Sequence, residues 1–149
     1  MAYSAKANVE QLYGPDNVAS WADLDNDEDV DKIAARIAAA ILYADAEIDD
    51  ILRGGPYALP LANSESTTPT SVVGLSATLA GVWLYERRGV EDFDEESGRP
   101  YHRLAWAKKD AYDKLKEILS NKRKLNAVRQ TVGLPAVIED NDLKVADYS

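Results

Sequence analysis

The sequence predicts an all-α fold of about four helices in a small bundle, with an extended loop after the second helix and a C-terminal tail. The 149 residues are 46% apolar and include only six prolines, which suits one mostly helical domain. Apolar residues between 30 and 51 recur at helical spacing. Residues 72–85 form an uncharged apolar run that is too short to span a bilayer, so we expect a soluble, non-secreted protein.

The first elements are short. Ser4 is a plausible N-cap for a helix from Ala5 to Tyr13, which a Gly-Pro pair then ends. Residues 17–22 are expected to form a further turn, with Trp21 as its buried anchor. These two elements lead into an acidic stretch before the first long helix.

The second predicted helix begins near Val30 and runs for about 23 residues. It is defined by branched apolar residues three, four or seven positions apart, namely Val30, Ile33, Ile37, Ile41, Ile48 and Ile51. Seven alanines between positions 34 and 46 give this helix small side chains over much of its surface. Another helix is therefore expected to approach it closely.

The junction after this helix combines prolines with apolar side chains. Pro56 and Pro60 exclude a continuing helix and disfavour a central strand. The apolar side chains between them still need cover, so we expect extended chain docked against a helix or a neighbouring chain. We predict a structural clasp formed by Tyr57, Leu59, Pro60 and Leu61.

The second half is predicted to hold two more helices. A polar loop at 63–70 precedes a third helix, for which Thr68 and Pro69 are the expected cap and first-turn pair. That helix is apolar nearly all round, which indicates a central position. An acidic connector at 91–98 leads to a fourth helix at 100–120. Periodicity weakens beyond Leu125, so we divide the chain into a helical domain at 1–125 and a tail at 126–149.

Charge is unevenly distributed along the chain. The formal net charge of -9 argues against gripping nucleic acid by the surface, although DNA passing through a hole stays possible. Residues 23–50 contain ten acidic and two basic side chains, whereas residues 99–129 contain ten basic and three acidic ones. The chain is thus a dipole along its sequence, and the basic part is also open to an acidic protein partner.

Motifs for metal or catalytic chemistry are weak. The acidic residues from Asp23 to Asp31 fail the calcium-loop spacing, because Glu28 stands at the obligatory glycine and Ala34 at the closing glutamate. They fit a helix-capping acidic run better. With no cysteine and His102 as the single histidine, thiolate and polyhistidine sites are excluded. We therefore assign no catalytic residue, metal or cofactor.

One enzymatic alternative remains. Glu47 with Asp50, and Glu91 with Asp94, resemble the carboxylate pairs that hold Mg²⁺ in all-helical nucleotide pyrophosphohydrolases. In such enzymes both pairs lie on facing helices, whereas the second pair here falls in the predicted connector. A generic helical adaptor is a further alternative.

The order of these features resembles the Mu-like phage head-tail connector, or head completion, proteins, over about residues 3–125. The matching features are the helix from Tyr3 to Tyr13, the run from Ala44 to Asp49, the residues Tyr57, Leu59, Pro60 and Leu61, and then Leu84, Tyr85, Tyr112, Leu115, Ile118, Lys122 and Leu125. The chain departs from the pattern in its long polar loop, in Asn121 where glycine is common, and in its long tail.

The resemblance implies a non-enzymatic virion protein, assembled in the host cytoplasm, that forms a homo-oligomeric ring beneath the portal. Its partners would be the portal protein and a tail or head-tail joining protein. DNA would pass through the channel without sequence-specific binding, and no membrane is involved. The charge pattern then suggests subunit or portal contacts through Asp45, Asp49, Lys122, Arg123 and Lys124.

Overall fold

The computed structural model describes residues 2–88, 92–93, 100–101 and 103–130. Within these ranges the chain forms five helices and one pair of two-residue strands, and the predicted all-α class is confirmed. The elements are α1 (Lys6–Tyr13), α2 (Pro15–Ala22), α3 (Val30–Leu52), α4 (Thr70–Arg87), β1 (Asp92–Phe93), β2 (Pro100–Tyr101) and α5 (Ala105–Leu119). No helix in these ranges is long and apolar enough to cross a bilayer.

Helix α4 is the centre of the bundle. It packs against α1, α2, α3 and α5, and it is buried on nearly every side, as its apolar composition predicts. The contact between α3 and α4 is the most extensive among the described helices. Both helices bury small residues, including Ala40 and Ala44 on α3 and Ala77 and Ala80 on α4. The absence of bulk at these positions lets the two helix backbones approach closely.

Aromatic residues join the short first helices to this centre. Trp21 is 7% exposed, which confirms it as the anchor of its segment. Its ring packs edge-on between Tyr13 and Tyr85, with ring centroids 5.4 and 5.2 Å away. The residues around Trp21 form a full helix, α2, rather than a single turn, because Pro15 occupies its first position and fixes a helical φ there.

Three predicted helix starts were wrong. The N-cap of α1 is Ala5, because Ser4 is buried and its hydroxyl contacts Ser76 Oγ at 2.7 Å. The N-cap of α4 is Pro69 rather than Thr68. Helix α5 begins at Ala105 instead of Pro100, because residues 100–101 pair antiparallel with residues 92–93 and their backbones are extended.

The acidic run before α3 caps that helix. The carboxylate of Asp29 accepts hydrogen bonds from the amides of Asp31 at 3.0 Å and Lys32 at 3.2 Å. The guanidinium of Arg88, just after α4, donates to the backbone carbonyl of Asp23 and to Asn26 Oδ1. The beginning of α3 therefore lies next to the end of α4.

Candidate interaction surfaces

The four residues of the predicted clasp lie between α3 and α4, and their exposure differs. Tyr57 and Leu61 are 2% and 0% exposed and belong to the hydrophobic core. Leu59 is half-buried and packs against that core, whereas Pro60 is exposed. The apolar cover expected for this segment comes from its own subunit at positions 57, 59 and 61.

Residues 126–130 cover the outer edge of this segment. Ala58 N donates to Val128 O at 2.9 Å, Val128 N donates to Ala62 O at 2.7 Å, and Gln130 N donates to Pro56 O at 2.9 Å. Tyr57 Oη accepts a hydrogen bond from Leu125 N at 2.6 Å. The predicted tail thus starts with a stretch that pairs with its own chain through Val128 and Gln130, and residues 131–149 lie outside the described part.

Tyr3 ties the clasp to α3. Its hydroxyl accepts a hydrogen bond from Leu61 N at 2.9 Å and donates one to Asp49 Oδ1. Its amide donates to Asp45 Oδ2 at 2.9 Å, and Ser76 Oγ of α4 donates to Asp45 Oδ1 at 2.6 Å. Four separate parts of the chain meet in this buried polar cluster.

The cluster changes how two of its groups titrate. Burial raises the pKa of the Asp45 carboxyl, and hydrogen bonds from Ser76 and Tyr3 oppose that rise. Burial, together with the hydrogen bond to Asp49, also raises the pKa of Tyr3 well above its usual range. Asp45 is only 8% exposed and Asp49 is half-buried, so these two predicted contact residues are engaged inside their own subunit.

The basic residues predicted as contacts lie in the turn after α5. Lys122, Arg123 and Lys124 are all exposed. Arg123 Nε forms an ion pair with Glu117 at 3.0 Å. Lys122 and Lys124 make no ion pair within the described part of the chain, so they are the members of the group that are open to a partner.

The acidic run before α3 and the lysines after α5 lie far apart. A Cβ added at Gly55 would lie 2.9 Å from Leu119 Cδ1, which places the end of α5 beside the end of α3. The acidic run precedes the start of α3. Since α3 has 23 residues, its two ends are about 35 Å apart at 1.5 Å per residue. The acidic run and the end of α5 therefore lie near opposite ends of α3, although the last turns of α3 also carry acidic side chains at positions 47, 49 and 50.

The residues of the enzymatic alternative do not form a described metal site. Glu47 lines a cleft of about 190 Å³ with Glu86 and Lys108, and Lys108 Nζ binds Glu86 at 2.9 Å. That hydrogen bond raises the pKa of Lys108. Asp50 instead pairs with Arg53 at 2.9 Å. No group of three or more metal-binding side chains occurs in the described ranges, and Glu91, Asp94 and His102 lie outside them.

Comparison with known families agrees with this architecture. The chain matches the family described as "Bacteriophage Mu, Gp36" over residues 3–138. The chain belongs to this family. The predicted resemblance is thereby confirmed, and the match extends past residue 125 into the predicted tail. Membership identifies a phage structural protein. Comparison with curated proteins gave no match.

Sequence reasoning missed several residues of these surfaces. Tyr3 and Ser76 gave no signal because each bonds a residue more than 30 positions away. Val128 and Gln130 were assigned to a tail, since backbone pairing with residues 56–62 leaves no periodic pattern in so short a stretch. The apolar character of Tyr57 and Leu61 was the available clue that something in the chain had to cover them.

Proposed function

We propose that the protein is a head-tail connector, or head completion, subunit that forms a ring beneath the portal and extends the DNA channel toward the tail. The observation that carries this proposal is the position of two exposed groups, the acidic run and the lysines after α5, near opposite ends of α3. A head-to-tail ring needs two different, complementary patches on each subunit. A subunit with an exposed acidic run near one end of α3 and exposed lysines near the other supplies such a pair.

The ring proposal gives the open lysines a role. Lys122 and Lys124 on one subunit face the acidic residues of the next subunit or of the portal. Asp31 and Glu28, at the start of α3, are exposed and make no ion pair in the described ranges, so they are suitable counterparts. Arg123 contributes less in this proposal, because its guanidinium is already paired with Glu117.

A charge reversal tests the ring. The double variant Lys122→Glu and Lys124→Glu is expected to weaken ring or portal assembly, with the larger loss at low salt. A matched control, Lys6→Glu with Lys109→Glu, changes the net charge equally at other exposed positions. Light scattering of the pure protein, with and without portal, measures both. Unchanged assembly of the first variant would reject the proposal.

The net negative charge of the chain suits the wall of a channel through which DNA passes. A wall that bound phosphates tightly would hinder moving DNA, and the chain carries a formal charge of -9. We propose that DNA passes without sequence-specific binding.

Residues 126–149 are proposed as the arm that contacts the portal. A chain that ends at Gln130 keeps the described pairing and is expected to lose portal affinity.

The proposal contains no catalytic step. Incubating the protein with mixed nucleoside triphosphates and Mg²⁺ is expected to release no pyrophosphate above a protein-free control. Magnesium-dependent release that Glu47→Gln abolished would instead support the pyrophosphohydrolase alternative.

A further inference from the structure

Helix α3 presents an outward face that carries no charge over three turns. Between Ile37 and Ala46 the one charged residue is Asp45, which is buried. Leu42 is 70% exposed and Tyr43 is 56% exposed, although both are apolar or aromatic. The exposed residues that form this surface, called here the α3 face, are Ala35, Ala38, Leu42, Tyr43 and Ala46.

The outward face of α5 shows what an ordinary surface helix looks like in the same molecule. It exposes Lys109, Asp110, Asp113 and Lys116, and its exposed Trp106 ring has the amine of Lys109 5.6 Å from its centroid. Such alternation of charged side chains is typical of a helix face in water. The α3 face lacks it, and contiguous exposed apolar surface in a soluble domain marks a contact site. Solvent exposure alone therefore does not account for this part of α3.

The surroundings of the α3 face are mostly negative, because the bases nearest to it, Lys32, Arg36 and Lys108, are each paired with a carboxylate. A groove of about 450 Å³ runs along one edge, between α3 and Ala2, and the carboxylates of Asp45 and Asp49 line it. Asp49 makes no ion pair in the described ranges. Exposed Asp31 lies at one end of the face and exposed Glu47 near the other. A surface that covers the α3 face should thus be apolar at its centre and positive around it.

We propose that the α3 face binds the end of α5 in a second copy of this chain. This inference rests on the proposed ring and names the contact that builds it. The end of α5 and the following residues expose two apolar side chains, Leu119 at 39% and Val128 at 47%. The open amines of Lys122 and Lys124 lie in the same stretch. These four residues, called here the basic end, match the required chemistry.

The charges also disfavour the simplest alternative occupant. Two copies of the α3 face packed on each other would bring acidic ends together whether the helices ran parallel or antiparallel, because acids flank both ends. Like charges so placed oppose association. The contact is therefore between different patches, and each bound pair leaves one α3 face and one basic end free. Repetition of that contact closes a ring or extends a filament.

Cross-linking tests the contact cleanly, because the chain contains no cysteine. One protein carries Leu42→Cys and the other Ser120→Cys, which keeps both lysines of the basic end. The two are mixed and treated with a short bismaleimide. We expect the mixed dimer to form at least ten-fold faster than either like dimer. We expect no comparable product from Leu12→Cys with Ser120→Cys, a control with a 52% exposed leucine on α1.

Each outcome decides the inference. A dominant dimer of the Leu42→Cys protein with itself would overturn it in favour of α3 on α3. Yields no higher than the Leu12→Cys control, up to high protein concentration, would overturn it as well. Adding Lys122→Glu and Lys124→Glu to the Ser120→Cys partner should abolish the mixed product.

The two proposals fail separately. Portal binding by the uncross-linked protein is measured in parallel. A specific mixed dimer without portal binding would retain the α3 contact and reject the connector role. Portal binding without the mixed dimer would retain the connector role and reject the α3 contact. The variant Leu42→Glu should lower self-association at least ten-fold and leave thermal stability unchanged, since this side chain is 70% exposed.

Discussion

Tyr3 connects the beginning of the chain to two distant segments through one side chain. Its hydroxyl is both acceptor and donor, toward Leu61 N and Asp49 Oδ1. Because burial and the hydrogen bond to Asp49 raise its pKa, the phenol is protonated at neutral pH and keeps its donor role there. The residue is 3% exposed, so water does not readily replace these bonds.

The variant Tyr3→Phe should lower the free energy of unfolding by about 1–3 kcal/mol, because it leaves the buried amide of Leu61 without an acceptor. Urea denaturation followed by circular dichroism measures the loss. The control Tyr43→Phe removes a hydroxyl from a 56% exposed ring and should change stability little. Equal effects of the two variants would contradict the role given to the Tyr3 hydroxyl.

Asp45 should make stability depend on pH. Its pKa in the folded protein is raised by burial, so the protonated form is favoured there more than in the unfolded chain. Its contribution is complete below the ordinary aspartate pKa of about 3.9 and is lost as pH rises through the raised value.

The variant Asp45→Asn cannot ionise at this position. The stability of the natural protein relative to this variant should therefore fall as pH rises through that window, and then level off. Urea midpoints of both proteins, measured between roughly pH 3 and pH 8, test this. A difference that stays constant with pH, or that grows as pH rises, would contradict the sign.

At the scale of elements, two glycines of α4 differ in whether a neighbouring helix needs the space that a side chain would fill. A Cβ at Gly81 would overlap the ring of Tyr13, whose hydroxyl donates to Thr78 O at 3.1 Å. A Cβ at Gly74 would meet no atom within 4 Å. The first glycine is thus required by the approach of α1, and the second is not.

The variant Gly81→Ala should destabilise the protein by about 1–3 kcal/mol, because α1 must move away from α4. Gly74→Ala should be neutral or stabilise by up to about 1 kcal/mol through helix propensity. Thermal unfolding of the pair measures both effects. Similar melting temperatures for the two variants would show that α1 does not depend on close approach at position 81.

The edge pairing of residues 126–130 with the clasp predicts a sharp difference between two truncations. A chain ending at Leu125 loses three backbone hydrogen bonds and the cover they provide, and should be less stable by about 2–3 kcal/mol. A chain ending at Gln130 keeps them all and should unfold like the full protein. Equal stability of both truncations would show that the pairing contributes little.

At the scale of the whole molecule, charge separation along about 35 Å should make assembly depend on salt. Raising ionic strength from about 0.05 M to 0.5 M shortens the screening length several-fold. Self-association should weaken accordingly, and the apolar α3 face should retain part of it. Sedimentation at several salt concentrations measures this, and association that strengthened steadily with salt would indicate a purely apolar contact.

Much of the fold could be predicted from the sequence, because residue spacing and helix capping act between residues that are close along the chain. The spacing of Val30 to Ile51 predicted α3, and Asp29 caps it as the acidic run suggested. The helix starts at Ser4 and Thr68 were wrong, since capping competes with contacts that sequence does not display. Asn121 has a φ of 65°, a left-handed conformation that asparagine tolerates.

The sequence by itself determined the long helices, the family and the opposed charges along the chain, because these follow from the order and spacing of neighbouring residues. Tertiary structure alone decided that Asp45 lies inside while Leu42 lies outside on the same helix. It also decided that residues 126–130 return to the clasp. Helical periodicity fixes which residues share a face, but long-range packing chooses which face is covered.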